Sequence, residues 1–244
     1  MALSMTTRAC IAAVAITLTS AQDLPGLPTG VKEPSPYDEQ VSTAQELLSA
    51  LASGTDPISL QLVGSTISLG GYVGPGGLGS APGELGVAGR SVTLWSSVGT
   101  ALDAEGLGRV LHVDNGTKML LQGVTLTGGV APIEQNPMGG GCVFMGAAAP
   151  YLMMRGGSRL SDCSVACPTC GRGAGGGILK VGGELVLSEV VIEDCHVSNG
   201  ASVTGNAVAG GGVMVLGGDT MFVDVNFTNT SAVALTNPPF SGGD

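Results

Sequence analysis

The chain has 244 residues and a formal net charge of −10, with 42 Gly, 43% hydrophobic, 11% charged and 3% aromatic residues. That length supports one good-sized domain with its own core, and so apolar a Gly-rich mixture excludes a disordered chain. The acidic balance argues against nucleic acid and anionic membranes as partners, because both call for a basic patch.

Residues 1–21 read as a signal peptide. Arg8 supplies the positive end, Ala9 to Leu18 form an apolar run, and Thr19-Ser20-Ala21 offers a small-residue cleavage site. The run is far shorter than the ~20 residues that span a bilayer. A secreted or cell-surface protein without a membrane span is therefore expected. Residues 22–40 are Pro/Gly-rich and read as a linker or extended lead-in. Residues 42–53 (STAQELLSALAS) predict a helix. Ser42 or Thr43 can cap it, Gln45 or Glu46 can complete a capping box, and Leu47, Leu48 and Leu51 form its apolar stripe. Such a short helix suits a cap on the end of a larger core.

From residue 58 the period changes to two. Ile58–Leu62 and Ser91–Trp95 predict strands, with a Gly/Pro-rich loop over 70–89 between them. An internal repeat follows. Gly triplets begin at Gly139, Gly175 and Gly210, each followed by an apolar strand: CVFM, ILKV and VMVL. An earlier copy, VLHV from Val110, lacks the triplet. Stacking the copies puts Leu111/Val113, Val143/Met145, Leu179/Val181 and Met214/Leu216 in an inward column. The alternate column admits His112 and Lys180 and is assigned to solvent. A second strand pair recurs as Met119, Leu121, Val124, Leu126; as Leu185, Leu187, Val190, Ile192; and as Thr220, Phe222, Val225, Phe227. Its uneven spacing implies a bend. The copy from Tyr151 to Leu160 fits it poorly. Strand, bend, strand and Gly turn make one coil, and coils bury a core only by stacking. The fold class predicted is all-β: a right-handed parallel β-helix over 41–244 with a short N-terminal capping helix. The repeat phase at Ser241-Gly242-Gly243 calls for a new turn, so the solenoid is expected to be incomplete there, with an exposed coil end prone to self-association.

The runs STAQELLSALASGTDPISLQL, RSVTLW and TALDAEGLGRVLHVDNGTKMLLQGVTLTGG resemble the entry to parallel β-helix proteins of the pectin-lyase-like superfamily. The later Gly-rich repeats resemble polymorphic outer-membrane protein repeats. The Phe-x-x-Asn element of that family is replaced by Leu160-x-x-Cys163, Ile192-x-x-Cys195 and Phe227-x-x-Thr230. The resemblance, over about 42–244, implies the fold. It leaves function open, because this scaffold carries lyases, hydrolases, adhesins and inert surface proteins.

Polysaccharide hydrolysis needs paired carboxylates, and lyase chemistry needs carboxylates holding a cation plus a base. The catalytic candidates are Asp162 and Asp194, which with Asn229 form a ladder at one step of successive coils, where Ca²⁺ could bind. Turns favour Asp and Asn for backbone reasons alone, and that reading is preferred. Asp103 and Glu105 read as loop residues. No cofactor is called for otherwise. Asn115, Asn226 and Asn229 head Asn-x-Ser/Thr sequons and are candidate glycosylation sites, with Asn226 facing solvent. Five cysteines remain after loss of Cys10. Cys163 and Cys195 share one step of neighbouring coils and are expected to pair, Cys167 with Cys170, leaving Cys142 odd. The rival is a zinc site of Cys163, Cys167, Cys170 and His196. The expected function is a non-enzymatic extracellular or cell-surface β-helix that meets a glycan or protein surface in adhesion or in wall or matrix assembly. The alternative is a lyase or hydrolase acting on acidic polysaccharide.

Overall fold

The computed structural model describes residues 26–53, 56–70, 83–131, 139–148, 150–167, 172–199 and 207–234. The signal-peptide segment 1–21 and residues 235–244, with the expected break in the solenoid, lie outside them. The chain winds into a parallel β-helix in which every strand pairing is between successive coils. The right-handed sense follows the rule for parallel crossovers. Seven strands form the long sheet: Glu39–Val41, Ile58–Leu62, Ser91–Trp95, Lys118–Gln122, Tyr151–Arg155, Glu184–Ser188 and Asp219–Val223. The second sheet stacks Thr66–Ser68, Ala101–Asp103, Thr125–Thr127, Arg159–Ser161, Val191–Glu193 and Asn226–Thr228. The third stacks Leu85–Ala88, Leu111–Asp114, Val143–Met145, Ile178–Lys180 and Val213–Val215. A small sheet of Ser164–Cys167, His196–Asn199 and Ser231–Ala234 widens the later coils.

The predicted helix forms over Ala44–Ser53. Thr43 is its cap: the Glu46 amide donates to Thr43 Oγ1, and Glu46 accepts in return from the amides of Ser42 and Thr43. Those bonds, led by the Ser42 amide, hold the Glu46 carboxyl below its usual range. Leu47 and Leu51 are buried against the core of the first coils, so the helix caps the solenoid as expected.

The bend after the long sheet is a left-handed backbone step in the four later coils. Gly123, Gly156, Glu189 and Asp224 occupy it with φ of 62°, 60°, 56° and 52°. The inward residues on either side, Met119, Leu121, Val124, Leu126, Leu185, Leu187, Val190 and Ile192, are all fully buried. The copy after Tyr151 departs because it carries one extra residue, and Ser158 takes the inward place of Val124. Its hydroxyl donates to the Arg155 carbonyl at 2.8 Å, so the buried polar group is satisfied.

The structure corrects three parts of the sequence reading. Within the supposed loop 70–89, Leu85–Ala88 is a strand paired with Leu111–Asp114, and Leu85 and Val87 are inward; residues 71–82 lie outside the described set. The Gly repeat is offset by one residue. Gly140, Gly175 and Gly210 share a column, all with φ near 60–70°, and Gly139 instead pairs with Ala174. The inward column of the third sheet is therefore Val143, Ile178, Val213 and, two residues on, Met145, Lys180, Val215. Because side chains alternate, a slip of one residue exchanges the faces. Lys180, assigned to solvent, is fully buried and donates from Nζ to the Gly217 carbonyl of the next coil. Burial pushes its pKa down, against the attraction of Asp219 and Glu184.

The lead-in is no free linker. Residues 26–38 lie as a strap on the outer face of the long sheet. Leu27 and Val31 pack on an apolar band of Leu120, Tyr151, Met153 and Val186 that is separate from the main core.

Candidate functional site

The acidic ladder forms at the second corner of the coil. Ser161 is in register with Glu193 and Glu193 with Thr228, so the next residues, Asp162, Asp194 and Asn229, stack. Each has a left-handed backbone, with φ of 51°, 51° and 48°. One coil earlier the same step is Gly128, φ 64°. Asp, Asn and Gly are the residues that tolerate this conformation, so the corner's geometry accounts for the ladder's composition. Asn229 Nδ2 donates to Asp194 Oδ1, and Asp162 and Asn229 are exposed. Asp103 ends a strand and accepts from the Glu105 amide at 2.8 Å. Glu105, with φ 55°, accepts from the Ser68 hydroxyl.

The next step along the corner holds the cysteines, and the expected pairing is overturned. Cys163 is bonded to Cys142, with Cα atoms 5.2 Å apart, and Cys195 is free and buried. Cys163 and Cys195 do stack, but both project inward along parallel directions. Cys142 faces Cys163 from across the coil, where the Gly turn pinches the interior. A Cβ on Gly141 would lie 2.5 Å from the Ser164 amide nitrogen, and one on Gly176 2.7 Å from that of His196. Only glycine admits this approach. In the next coil the place of Cys142 is taken by Gly177, and a Cβ there would sit 3.3 Å from Cys195 Sγ. Burial pushes the Cys195 thiol up to about 12. With Cys163 in a disulfide the zinc alternative fails. His196 Nδ1 meets Ser231 Oγ at 2.9 Å instead. Cys170 and the side chain of Cys167 lie outside the described residues, and the pairing of those two with them. No group of three or more His, Cys, Asp or Glu able to hold a metal occurs among the described residues.

One cluster that the sequence reading missed lies on the outer face of the third sheet. His112 Nδ1 stands 3.1 Å from Glu84 Oε1, and Arg109 Nη1 3.8 Å from the same oxygen. Arg109 Nε donates to the carbonyls of Gly139 and Gly140, and its guanidinium lies 4.9 Å over the Phe144 ring. The edge-on His112 ring is 4.9 Å from Phe144. The Arg109 and Glu84 side chains are fully buried, and burial brings Arg109 down to about 10 against the pull of Glu84. Glu84 against Nδ1 fixes the orientation of the imidazole, as in acid–base pairs. Glu84 Oε2 and His112 Nε2 are enclosed, with no hydrogen-bond partner among the described residues. The signal in the sequence was weak, because Glu84 lies within the stretch read as a loop and Arg109 just before the recognised strand from Val110.

Of the sequons, Asn115 is exposed with φ 51°, while its Thr117 is fully buried and donates to the Val87 carbonyl at 2.6 Å. Asn226 is exposed, as expected. Among the described residues no helix is long and apolar enough to cross a membrane. Compared with known proteins, the chain matches no protein-family model, no curated protein and no solved structure.

Proposed function

We propose that this chain is a secreted or cell-surface β-helix, akin to the pectin-lyase-like and polymorphic outer-membrane protein scaffolds, that acts without catalysis. It presents a long ridge for adhesion, wall or matrix assembly, or contact with a glycan or protein surface. The observation that carries this reading is the left-handed backbone shared by Gly128, Asp162, Asp194 and Asn229, which explains the ladder without invoking chemistry. Asn115, Asn226 and Asn229 offer glycan acceptors on the surface. In the last described coil Leu216, Phe227 and Val233 are exposed at 54%, 44% and 47%.

A second reading, cleavage of acidic polysaccharide, draws on the Glu84–His112 pair, with Ca²⁺ only if the ladder takes part. An assay on a panel of acidic polysaccharides with and without Ca²⁺ separates the two. The scaffold reading expects binding without cleavage. Calcium-dependent cleavage lost in Asp194→Ala, or cleavage lost in His112→Gln, overturns it.

A further inference from the structure

We infer that the outer face of the long sheet is a docking groove for an extended segment, filled in cis by the strap and in trans by the strap of a second copy. The groove has an apolar floor and polar rims. Leu27 and Val31, four residues apart, pack on the separate band formed by Leu120, Tyr151, Met153 and Val186. Along the rims, Lys118 Nζ donates to the Thr29 carbonyl at 2.7 Å and Thr93 Oγ1 to the Lys32 carbonyl at 2.6 Å. Arg155 pairs with Glu33. Backbone carbonyls supply position and two apolar side chains supply register, which is how grooves read extended peptides.

The strap is held differently from the coils. Its contacts to the sheet are side-chain hydrogen bonds, one exposed ion pair and two half-buried apolar residues, whereas each coil is laced by a backbone ladder. Segments with few buried contacts open at free energies far below that of global unfolding. The strap ends in a tight turn, with the Asp38 amide donating to the Ser35 carbonyl at 3.0 Å and the Ser35 amide to Asp38 Oδ2 at 2.8 Å, and this turn serves as the hinge in the exchange. Residues 34–37 read Pro-Ser-Pro-Tyr, and Tyr37 is 94% exposed. Beyond it Asp38 is anchored, accepting from Ser59 Oγ at 2.6 Å and from Trp95 Nε1 at 3.0 Å. An element that leaves its groove about such a hinge reveals an apolar band that fits one identical element, so exchange between copies re-forms every contact. This surface is distinct from the coil end invoked above and stands or falls separately from it.

The test uses the full chain and a labelled peptide of residues 26–38. In Leu27→Ser/Val31→Ser the cis strap is loosened and the groove is untouched. Because a tethered segment competes at an effective concentration near the millimolar range, the loosened chain should bind the peptide about tenfold more tightly than the wild type, or better. Adding Met153→Lys should abolish that binding. Wild-type chain refolded at high concentration should yield a dimer that the loosened chain does not form. Glu33→Ala in the chain, which removes the Arg155 contact from the cis strap and leaves the groove intact, serves as a milder second variant and should shift binding of the unaltered peptide in the same direction. Two results overturn the proposal: a variant folded by far-UV circular dichroism that binds no peptide, or a dimer that persists in the loosened chain, which would place association at the coil end.

Discussion

At the pinch of one coil Cys142 faces Cys163 and the two are bonded; one coil further, Gly177 faces Cys195 and the thiol is free. The two coils share their backbone path, with Val143 in register with Ile178 and Ser164 with His196. The difference is a single residue type at the third position of the Gly turn. Covalent chemistry in this solenoid is therefore decided across the coil, at the pinch, rather than along the stack, where identical residues line up but point the same way. The pinch itself depends on glycines that admit no side chain.

The largest expected effect comes from filling the pinch. In Gly176→Ala the new Cβ would sit 2.1 Å from the Gly211 carbonyl oxygen, so the coils must spread. A loss of about 3 kcal/mol is expected from overpacking, read as a lower urea midpoint. Close behind, Cys142→Gly turns one coil into the likeness of the next. It removes a cross-link spanning 21 residues and should cost about 3 kcal/mol.

The converse change sharpens the comparison. Gly177→Cys should give the second coil the bridge it lacks, joining Cys195; the cross-link contributes about 2 kcal/mol, offset by the spreading needed where the new Cβ would sit 2.7 Å from the Gly212 carbonyl oxygen. Intact mass and thiol titration would detect the loss of the free Cys195 thiol; failure to oxidise would show that the two pinches differ in shape.

Smaller effects are expected away from the pinch. Burial pushes the Asp38 carboxyl up, but bonds from Lys32, Ser59, the Ser35 amide and Trp95 outweigh it and hold the pKa below the usual 3.8. A carboxyl depressed in the folded state contributes stability that is fully present above its unfolded pKa and lost as pH falls through the folded one. The strap's anchor should therefore loosen only below about pH 4. Trp95 is the single tryptophan of the chain, so its fluorescence should report the change, and Asp38→Asn should flatten it. Smallest of all, Asp194→Gly should alter stability by no more than about 0.5 kcal/mol, since the corner's left-handed backbone suits glycine. Asp194→Val should cost more, by thermal denaturation.

Much of the architecture was legible because inward positions of the long and second sheets are apolar at fixed spacing, from Met119 to Ile192. The capping helix was legible from Thr43 and Glu46. The third sheet was misread at one point. Gly139 makes a triplet by accident, since its partner in the next coil is Ala174. Anchoring on it shifted the last two copies by one residue, turned Lys180 outward and hid the place of Cys142 opposite Cys163. The acidic ladder was found where it stands, and its backbone explanation followed from residue preference. The strap was not legible, because Pro and Gly mark a linker and a docked segment alike. The band beneath Leu27 and Val31 is assembled from strands about 90 residues and more later in the chain. Nor was the Glu84–Arg109–His112 cluster, whose members meet only once Leu85–Ala88 is placed beside Leu111–Asp114.

The register at the pinch underlies the coil geometry, and non-reducing peptide mapping of the protein tests it most directly. The account predicts a peptide pair linking Cys142 to Cys163 and a Cys195 thiol that is alkylated only after unfolding. Recovery of Cys163 linked to Cys195, with Cys142 free, would contradict it.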